Sequence, residues 1–281
     1  MRKFVYLLLS LVIFSCATED DFIENQNTFE KEEVIVKNSS PVHLVKSWTS
    51  SGTYRGYTGY LGKFTVQVAD LDFDKSVSIF HEKVDGSWEE IPLAYSFDID
   101  DQNEIWTGQY NVGGFGLAPV YADEFVVKYE VNGQTYWDNN EGANYTMTTN
   151  DGFFFADPTS NVSVDTDFDS IFYASFYDQN QMNVVVDVRN LGPTKEVGVV
   201  YTTDGWQTQS YFPLSYRSFW NSGPFVFVSS PNQFDIERWS GSVRFDKSVS
   251  TVEYAVVYRV NGQEYWDNNY GKNHTVSQQF Y

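Results

Sequence analysis

Cysteine, histidine and basic residues are scarce in this 281-residue chain: 1 Cys, 3 His, and 18 Lys plus Arg against 38 Asp plus Glu. The lone cysteine, Cys16, excludes any disulfide within the chain. His43, His81 and His274 stand far apart and no second cysteine accompanies them, so neither a zinc cluster nor a Cys/His nucleophile pair can be assembled. A net charge of −20 repels nucleic-acid phosphates and leaves no basic patch for anionic lipid. A neutral molecule or a cation suits such a surface better. Beyond residue 16 no apolar run is long enough to cross a bilayer, and no long amphipathic helical pattern occurs. Asp70, Asp72 and Asp74 alternate along a strand end without the Gly and Glu of a calcium loop, and read as solvated surface. No metal and no cofactor is expected.

Aromatic rings are abundant: 8 Trp, 20 Tyr and 23 Phe. Most must be core, and the surplus invites stacking on a flat ligand. Paired carboxylates for glycoside hydrolysis are not excluded by counting acids. No acid pair recurs in a cleft-like context, however, and two small sandwiches offer little depth, so the chain is not expected to be an enzyme.

The first residues are a separate segment. Arg2 and Lys3 precede an apolar run from Phe4 to Phe14 broken only by Ser10, the shape of a secretion signal. Cys16 follows the small residue Ser15 and resembles the lipidated cysteine of a bacterial lipobox. The acids behind it, Glu19, Asp20 and Asp21, resemble a surface-export signal of Gram-negative lipoproteins. The expectation is a lipoprotein signal peptide over 1–15 and an acidic disordered tether over 16–40. The anchor then sits in the cell envelope, on an outer membrane and facing the surface.

From residue 41 onward the pattern is β. Phe64, Val66 and Val68 alternate with Thr65 and Gln67; Phe125, Val127, Tyr129 and Val131 share one strand face. The decisive feature is an internal repeat. Residues 124–138 read EFVVKYEVNGQTYWD and 253–267 read EYAVVYRVNGQEYWD, and both continue as Asn-Asn-x-Gly-x-Asn. Lys75-Ser76-Val77 matches Lys195-Glu196-Val197, Asp85-Gly86-Ser87-Trp88 matches Asp204-Gly205-Trp206, and Trp106-Thr107-Gly108 matches Trp239-Ser240-Gly241. Two modules follow, 41–149 and 160–281, with 150–159 as a linker whose three phenylalanines could pack on a module. Each is the size of one immunoglobulin-like β-sandwich, so the fold class is all-β with two tandem sandwiches.

Asn132-Gly133 suits the two central positions of a type I′ turn. Val131 then pairs with Gln134, Tyr129 with Tyr136 on the core face, and Lys128 with Trp137 on the outer face. In the second copy Tyr258 is expected to pair inward with Tyr265, and Arg259 outward with Trp266. An outward indole in both copies reads as a stacking platform for a pyranose ring, unless a loop covers it. The amides that follow, Asn139, Asn140 and Asn144, and Asn268, Asn269 and Asn273, serve either sugar hydroxyls or loop geometry.

The stretch Tyr136 to Tyr145 resembles the signature of family 21 carbohydrate-binding modules, found in starch-binding domains of glucoamylases and glycogen-targeting phosphatase subunits. Phe73-Asp74-Lys75-Ser76-Val77 and the Asp204-Gly205-Trp206 loop resemble further family motifs. The resemblance implies a glucan site of Trp88, Trp137, Asn139, Asn140 and Asn144 in module one. In module two it implies Trp206, Trp266, Asn268, Asn269 and Asn273. It also implies a second site at Phe73, lost in copy two, where Pro193 stands; Val126 and Ala255 replace a further site aromatic, and His274 a tyrosine. The function so implied is non-catalytic binding of a starch- or glycogen-like α-glucan at the envelope, near separate hydrolases or importers. The rival is an envelope scaffold or adhesion protein whose sandwiches bind protein.

Overall fold

The computed structural model describes residues 40–221 and 227–278. The proposed signal peptide, Cys16 and all but the last residue of the tether lie outside the described residues. Module one contains β1 (Val42–Tyr54), β2 (Tyr57–Ala69), β3 (Lys75–Lys83), β4 (Trp88–Pro92), β5 (Ala94–Asp98), β6 (Asn103–Phe115), β7 (Tyr121–Val131), β8 (Gln134–Asp138), β9 (Tyr145–Thr146) and β10 (Gly152–Phe155). Module two contains β11 (Val162–Val164), β12 (Ser170–Ala174), β13 (Gln179–Arg189), β14 (Lys195–Thr202), β15 (Ser210–Pro213), β16 (Ser215–Arg217), β17 (Phe219–Asn221), β18 (Phe227–Ser229), β19 (Ile236–Phe245), β20 (Thr251–Val260), β21 (Gln263–Asp267) and β22 (His274–Ser277). Among the described residues the only helical element is a 3₁₀ turn at Asn140–Gly142.

Each module is built on two facing antiparallel sheets, and in module two β17 pairs with β18 as a separate two-stranded sheet. Module one pairs its strands in the orders β10-β1-β2-β6-β5 and β4-β3-β7-β8, with β9 added to β7. Module two repeats this as β11-β13-β19-β16, with β12 on β13, and β15-β14-β20-β21, with β22 on β20. The period-2 alternation puts Leu44, Phe64, Val66, Val68, Ile79, Phe125, Val127 and Tyr129 into one core. Met182, Val184, Val186, Val199, Tyr254, Val256 and Tyr258 form the other. Each large side chain so enclosed contributes about 1.5–3 kcal/mol. The fully buried tyrosines keep their hydroxyls satisfied: Tyr129 donates to the Ala69 carbonyl at 2.8 Å and Tyr258 to the Arg189 carbonyl at 2.7 Å.

The Asn-Gly hairpins are as the turn chemistry requires. Asn132 and Gly133 have φ of 52° and 70°, Asn261 and Gly262 53° and 74°. They set the expected register in copy one, with Tyr129 opposite Tyr136 and Lys128 opposite Trp137. In copy two Tyr258 does face Tyr265, but Arg259 faces Glu264 and Val257 faces Trp266. The expected Arg259–Trp266 pair is therefore corrected by two positions along β20. Arg259 instead forms an ion pair with Glu264, Nε to Oε1 at 2.6 Å.

The segment 150–159 is not a free linker. Residues 152–155 form strand β10 along β1, pairing Trp48 with Phe153 and Lys46 with Phe155. Phe153 and Phe155 join Trp48 from module one and Val228 and Ile236 from module two in a third apolar cluster. Phe154 turns the other way, onto Tyr145 and Phe234. Three consecutive rings exposed to water would forfeit this burial. Module two also occupies the open edge of β10. Asn232 donates its side-chain amide to the carbonyls of Asp151 and Phe153 at 2.8 and 2.6 Å, and Arg189 donates to that of Phe155 at 2.7 Å. Both modules consequently lie within one compact unit.

Candidate functional site

In module one the outer face of β4-β3-β7-β8 carries an aromatic shelf. Trp137 is 44% exposed. Phe80 stands between two indoles: it stacks on Trp88 at 5.3 Å and 26°, and meets Trp137 at 5.8 Å and 60°. These three rings, with Val126, Asn139 and Asn144, bound a shallow depression of about 280 Å³. Of the expected residues, Trp88, Trp137, Asn139 and Asn144 are brought together. Asn140 does not line the depression, and Phe73 projects elsewhere, 95% exposed in the β2–β3 loop. Phe80 was not anticipated, although strand parity signals it. Val77 and Ile79 point inward, so Phe80 must point outward, opposite Val126 on β7.

The loop beside the shelf folds as it does because asparagine tolerates left-handed backbone. Asn140, Glu141 and Asn144 have φ of 51°, 57° and 54°; Asn269, Tyr270 and Asn273 repeat this at 51°, 56° and 58°. Asn140 donates its side-chain amide to the Asn144 carbonyl at 3.0 Å, and Asn269 to that of Asn273 at 3.2 Å. Both of these residues hold the loop. The Oδ1 atoms of Asn139 and Asn268 accept from the Gly142 and Gly271 amides at 3.1 and 2.9 Å. Asn139 thus has a structural role as well as a place in the depression. Asp138 fastens the loop to β1, accepting from the Leu44 amide at 2.6 Å and the Tyr145 hydroxyl at 2.8 Å. Burial first, and then the Asp138 charge, raise the Tyr145 pKa.

Module two keeps the loop and changes the shelf. Asp267 accepts from the Val164 amide at 2.7 Å and lies 2.8 Å from Nε2 of His274, which stands where Tyr145 does. Burial pushes Asp267 up, but the His274 contacts and the Val164 amide outweigh it and leave the carboxyl below its usual range. Trp266 is 47% exposed. Val200 replaces Phe80 and Ala255 replaces Val126, facing each other across β14 and β20. Trp206 donates its indole N–H to Glu253 at 2.7 Å and has φ of 64°. The turn that holds it is tight: hydrogen bonds from the Thr208 hydroxyl and amide bring Asp204 down to about 2. Glu253 corresponds to Glu124, which in copy one accepts from the Asn144 side chain at 2.9 Å. Trp266, Asn268 and Asn269 line a large cleft between the modules, whereas Trp206 and Asn273 do not. The expectation that two small sandwiches lack depth therefore fails, because the depth arises where they meet. Among the described residues no group of three or more His, Cys, Asp or Glu side chains could hold a metal ion.

Solvent-facing indoles at matched register, each beside an amide loop locked by its own hydrogen bonds, on paired antiparallel sandwiches, have the form of a carbohydrate-binding surface. The profile of one such class, the carbohydrate/starch-binding module of family 21, matches residues 38–148 and again 166–277. The chain belongs to that family. Among curated proteins it is 34% identical over 104 residues to glucoamylase 1 of Rhizopus oryzae, covering 35% of this chain and 16% of that one. It is 30% identical over 129 residues to protein phosphatase 1 regulatory subunit 3C of Bos taurus, covering 44% and 35%. The match thus spans well under half the length of either relative. Among solved structures it is similar to the starch-binding domain of Rhizopus oryzae glucoamylase in complex with β-cyclodextrin and maltoheptaose. Identity there is 28%, coverage 41% of this chain and 98% of that one, and the TM-score 0.30. It is also similar to the carbohydrate-binding module of the muscle glycogen-targeting subunit of protein phosphatase 1, at 21% identity, 42% and 76% coverage and a TM-score of 0.31.

Proposed function

We propose that this protein is a non-catalytic α-glucan binder, with the module-one shelf as a principal site. The observation that carries this reading is the Phe80–Trp88–Trp137 shelf beside Asn139 and Asn144. Indole and phenyl faces accept the apolar C–H face of glucose, and amide groups at the rim accept and donate to its hydroxyls. The family's description, a carbohydrate/starch-binding module, and the names of two relatives, a glucoamylase and the glycogen-binding subunit 76A of Drosophila melanogaster, support a starch- or glycogen-like ligand.

A glucose ring stacked on Trp137 removes about 100 Å² of apolar surface from water, worth roughly 2.5 kcal/mol or a factor of about seventy. Trp137→Ala is expected to weaken the module-one site by roughly that factor when maltoheptaose is titrated calorimetrically. A wild-type chain that amylopectin and glycogen gels fail to retard, relative to dextran gels, would sink the proposal. Release of reducing ends from amylopectin would overturn its non-catalytic part.

We further infer that the protein sits at the cell envelope, held by lipid on Cys16 after removal of 1–15, with the sandwiches presenting glucan to separate hydrolases or importers. The apolar run Phe4–Phe14 and the small residue before Cys16 support it. Cells fed tritiated palmitate should label the protein but not its Cys16→Ala variant; an unlabelled wild type refutes the anchor.

A further inference from the structure

Judged as a copy of module one, module two has a poor shelf: no ring corresponds to Phe80, and the Trp206 N–H is committed to Glu253. What it has instead is a neighbour. Trp266 at the end of β21 and Asn268 in the loop after it line, together with Ser96, Phe97, Thr107 and Gln109 of the β5–β6 surface of module one, a cleft of about 1160 Å³.

Specific contacts tie the two sides together. The Tyr270 ring lies 5.9 Å from that of Phe97, and the Lys272 ammonium sits 5.5 Å over the Phe97 ring and donates to the Asp98 carbonyl. Lys46 donates to the Ser163 hydroxyl at 2.7 Å, and Lys63 pairs with Asp167. The apolar cluster of Trp48, Phe153, Phe155, Val228 and Ile236 joins the same two modules. The walls are therefore held by packing and by charge-assisted bonds, and the space exceeds the roughly 300–1,000 Å³ of ordinary small-ligand pockets. Its lining sets rings such as Trp266, Phe97 and Tyr270 among hydroxyls, amides, carboxylates and the ammonium groups of Lys46 and Lys63, a mixed surface that suits a polyhydroxylated neutral chain.

We infer that the inter-module cleft is a composite site for a linear α-glucan segment, with Trp266 and Asn268 of module two on one side and Phe97 and Gln109 of module one on the other. This rests on the glucan-binding reading above and adds that module one supplies part of the second module's site. A cleft of this volume accommodates several sugar rings, whereas the open shelf at Trp137 presents only a shallow hollow.

The experiment titrates maltoheptaose into the full chain carrying Trp137→Ala, which silences the open shelf. Residual binding is expected, and adding Trp266→Ala should abolish it. Adding Phe97→Ala or Gln109→Ala should weaken it at least about threefold, the loss of one ring contact or one neutral hydrogen bond. Gln109 is solvent-exposed on β6, so its replacement tests the site without disturbing the core and is the deciding variant, because Phe97 also packs on Tyr270 and Lys272; an unchanged urea midpoint confirms the fold of Gln109→Ala. If Trp266→Ala abolishes residual binding while both module-one changes leave it unaltered, the site belongs to module two alone and the composite is refuted. If Trp137→Ala by itself removes all binding, the cleft holds no glucan and the inference falls while the open-shelf reading stands. A wild-type chain that binds no maltoheptaose removes both.

Discussion

Arg238 offers the sharpest test of how module two is held together. It lies on β19, 4% exposed, with Nε and Nη2 each 3.1 Å from the two Asp187 oxygens and Nη2 also bonded to Asp165. Its guanidinium sits 5.6 Å from the Trp48 ring of module one and 5.4 Å from the Phe168 ring. Asp187 is fully buried and Asp165 nearly so. Arg238→Met strands two carboxylates in low dielectric, so the expected loss is about 3–5 kcal/mol. With urea slopes of about 2 kcal/mol per molar, the midpoint should fall by about 1.5–2.5 M. A loss of that size is a large share of the roughly 5–15 kcal/mol that stabilises an ordinary domain.

Converting Asp165 and Asp187 to Asn as well should recover most of the loss, because no buried charge remains. Urea unfolding followed by tryptophan fluorescence, variant minus wild type, reads both changes. A defect below about 1 kcal/mol for Arg238→Met, or no recovery on adding the two Asn changes, refutes the reasoning.

Two further outcomes follow from module one. Phe80→Ala should weaken maltoheptaose binding at the open shelf about fivefold, since Trp88 loses its stacking partner; an unchanged affinity removes Phe80 from the site. His81, 2% exposed among Phe64, Tyr110, Tyr121 and Phe125, has its pKa lowered by burial to about 4. The unfolded chain takes up this proton near pH 6.5 and the folded one does not, so stability is lost as pH falls from about 6.5 to 4, by up to about 3 kcal/mol. His81→Phe should flatten that part of the stability profile, and an unchanged slope counts against the assignment.

The all-β class, the repeat and the outward Trp137 were legible because each rests on local chemistry. Asn132-Gly133 fixes the turn, the turn fixes the register, and the register fixes which ring faces water. The same logic applied to copy two assigns Val257 and not Arg259 to Trp266. Phe80 is legible from strand parity, but no motif marks it. Trp206 could not be placed by motif matching. Copy two has one residue fewer, Asp204-Gly205-Trp206 against Asp85-Gly86-Ser87-Trp88. That moves the indole from the first position of a strand into a left-handed turn, where Glu253 takes its N–H. The role of residues 152–155 was hidden for a different reason. Alternation reports that rings want burial, but not which neighbour buries them, and here the answer lies in both modules at once.

The comparison of the two copies separates what the loop needs from what the ligand needs. Everything that shapes the loop is kept: Asp138 and Asp267 on the β1 and β11 amides, Asn139 and Asn268 on the glycine amides, Asn140 and Asn269 on the last carbonyl of the turn. The charged pairs beneath are kept too, Lys75 with Glu104 at 2.7 Å and Lys195 with Glu237 at 2.9 Å. What changes is the set of side chains around each indole: Phe80 becomes Val200, Val126 becomes Ala255, and Trp88 becomes a displaced Trp206. Loss of those rings at an isolated module would leave Trp266 as a single stacking surface worth roughly 2.5 kcal/mol, too little to hold one sugar against the cost of association. The docking of β10 and its two phenylalanines into the shared cluster places module one opposite that surface instead. Rigid coupling also fixes the spacing of the open shelf and the cleft. A polymer engaging both then binds as one ligand with two contacts, and the second contact forms at a high effective concentration.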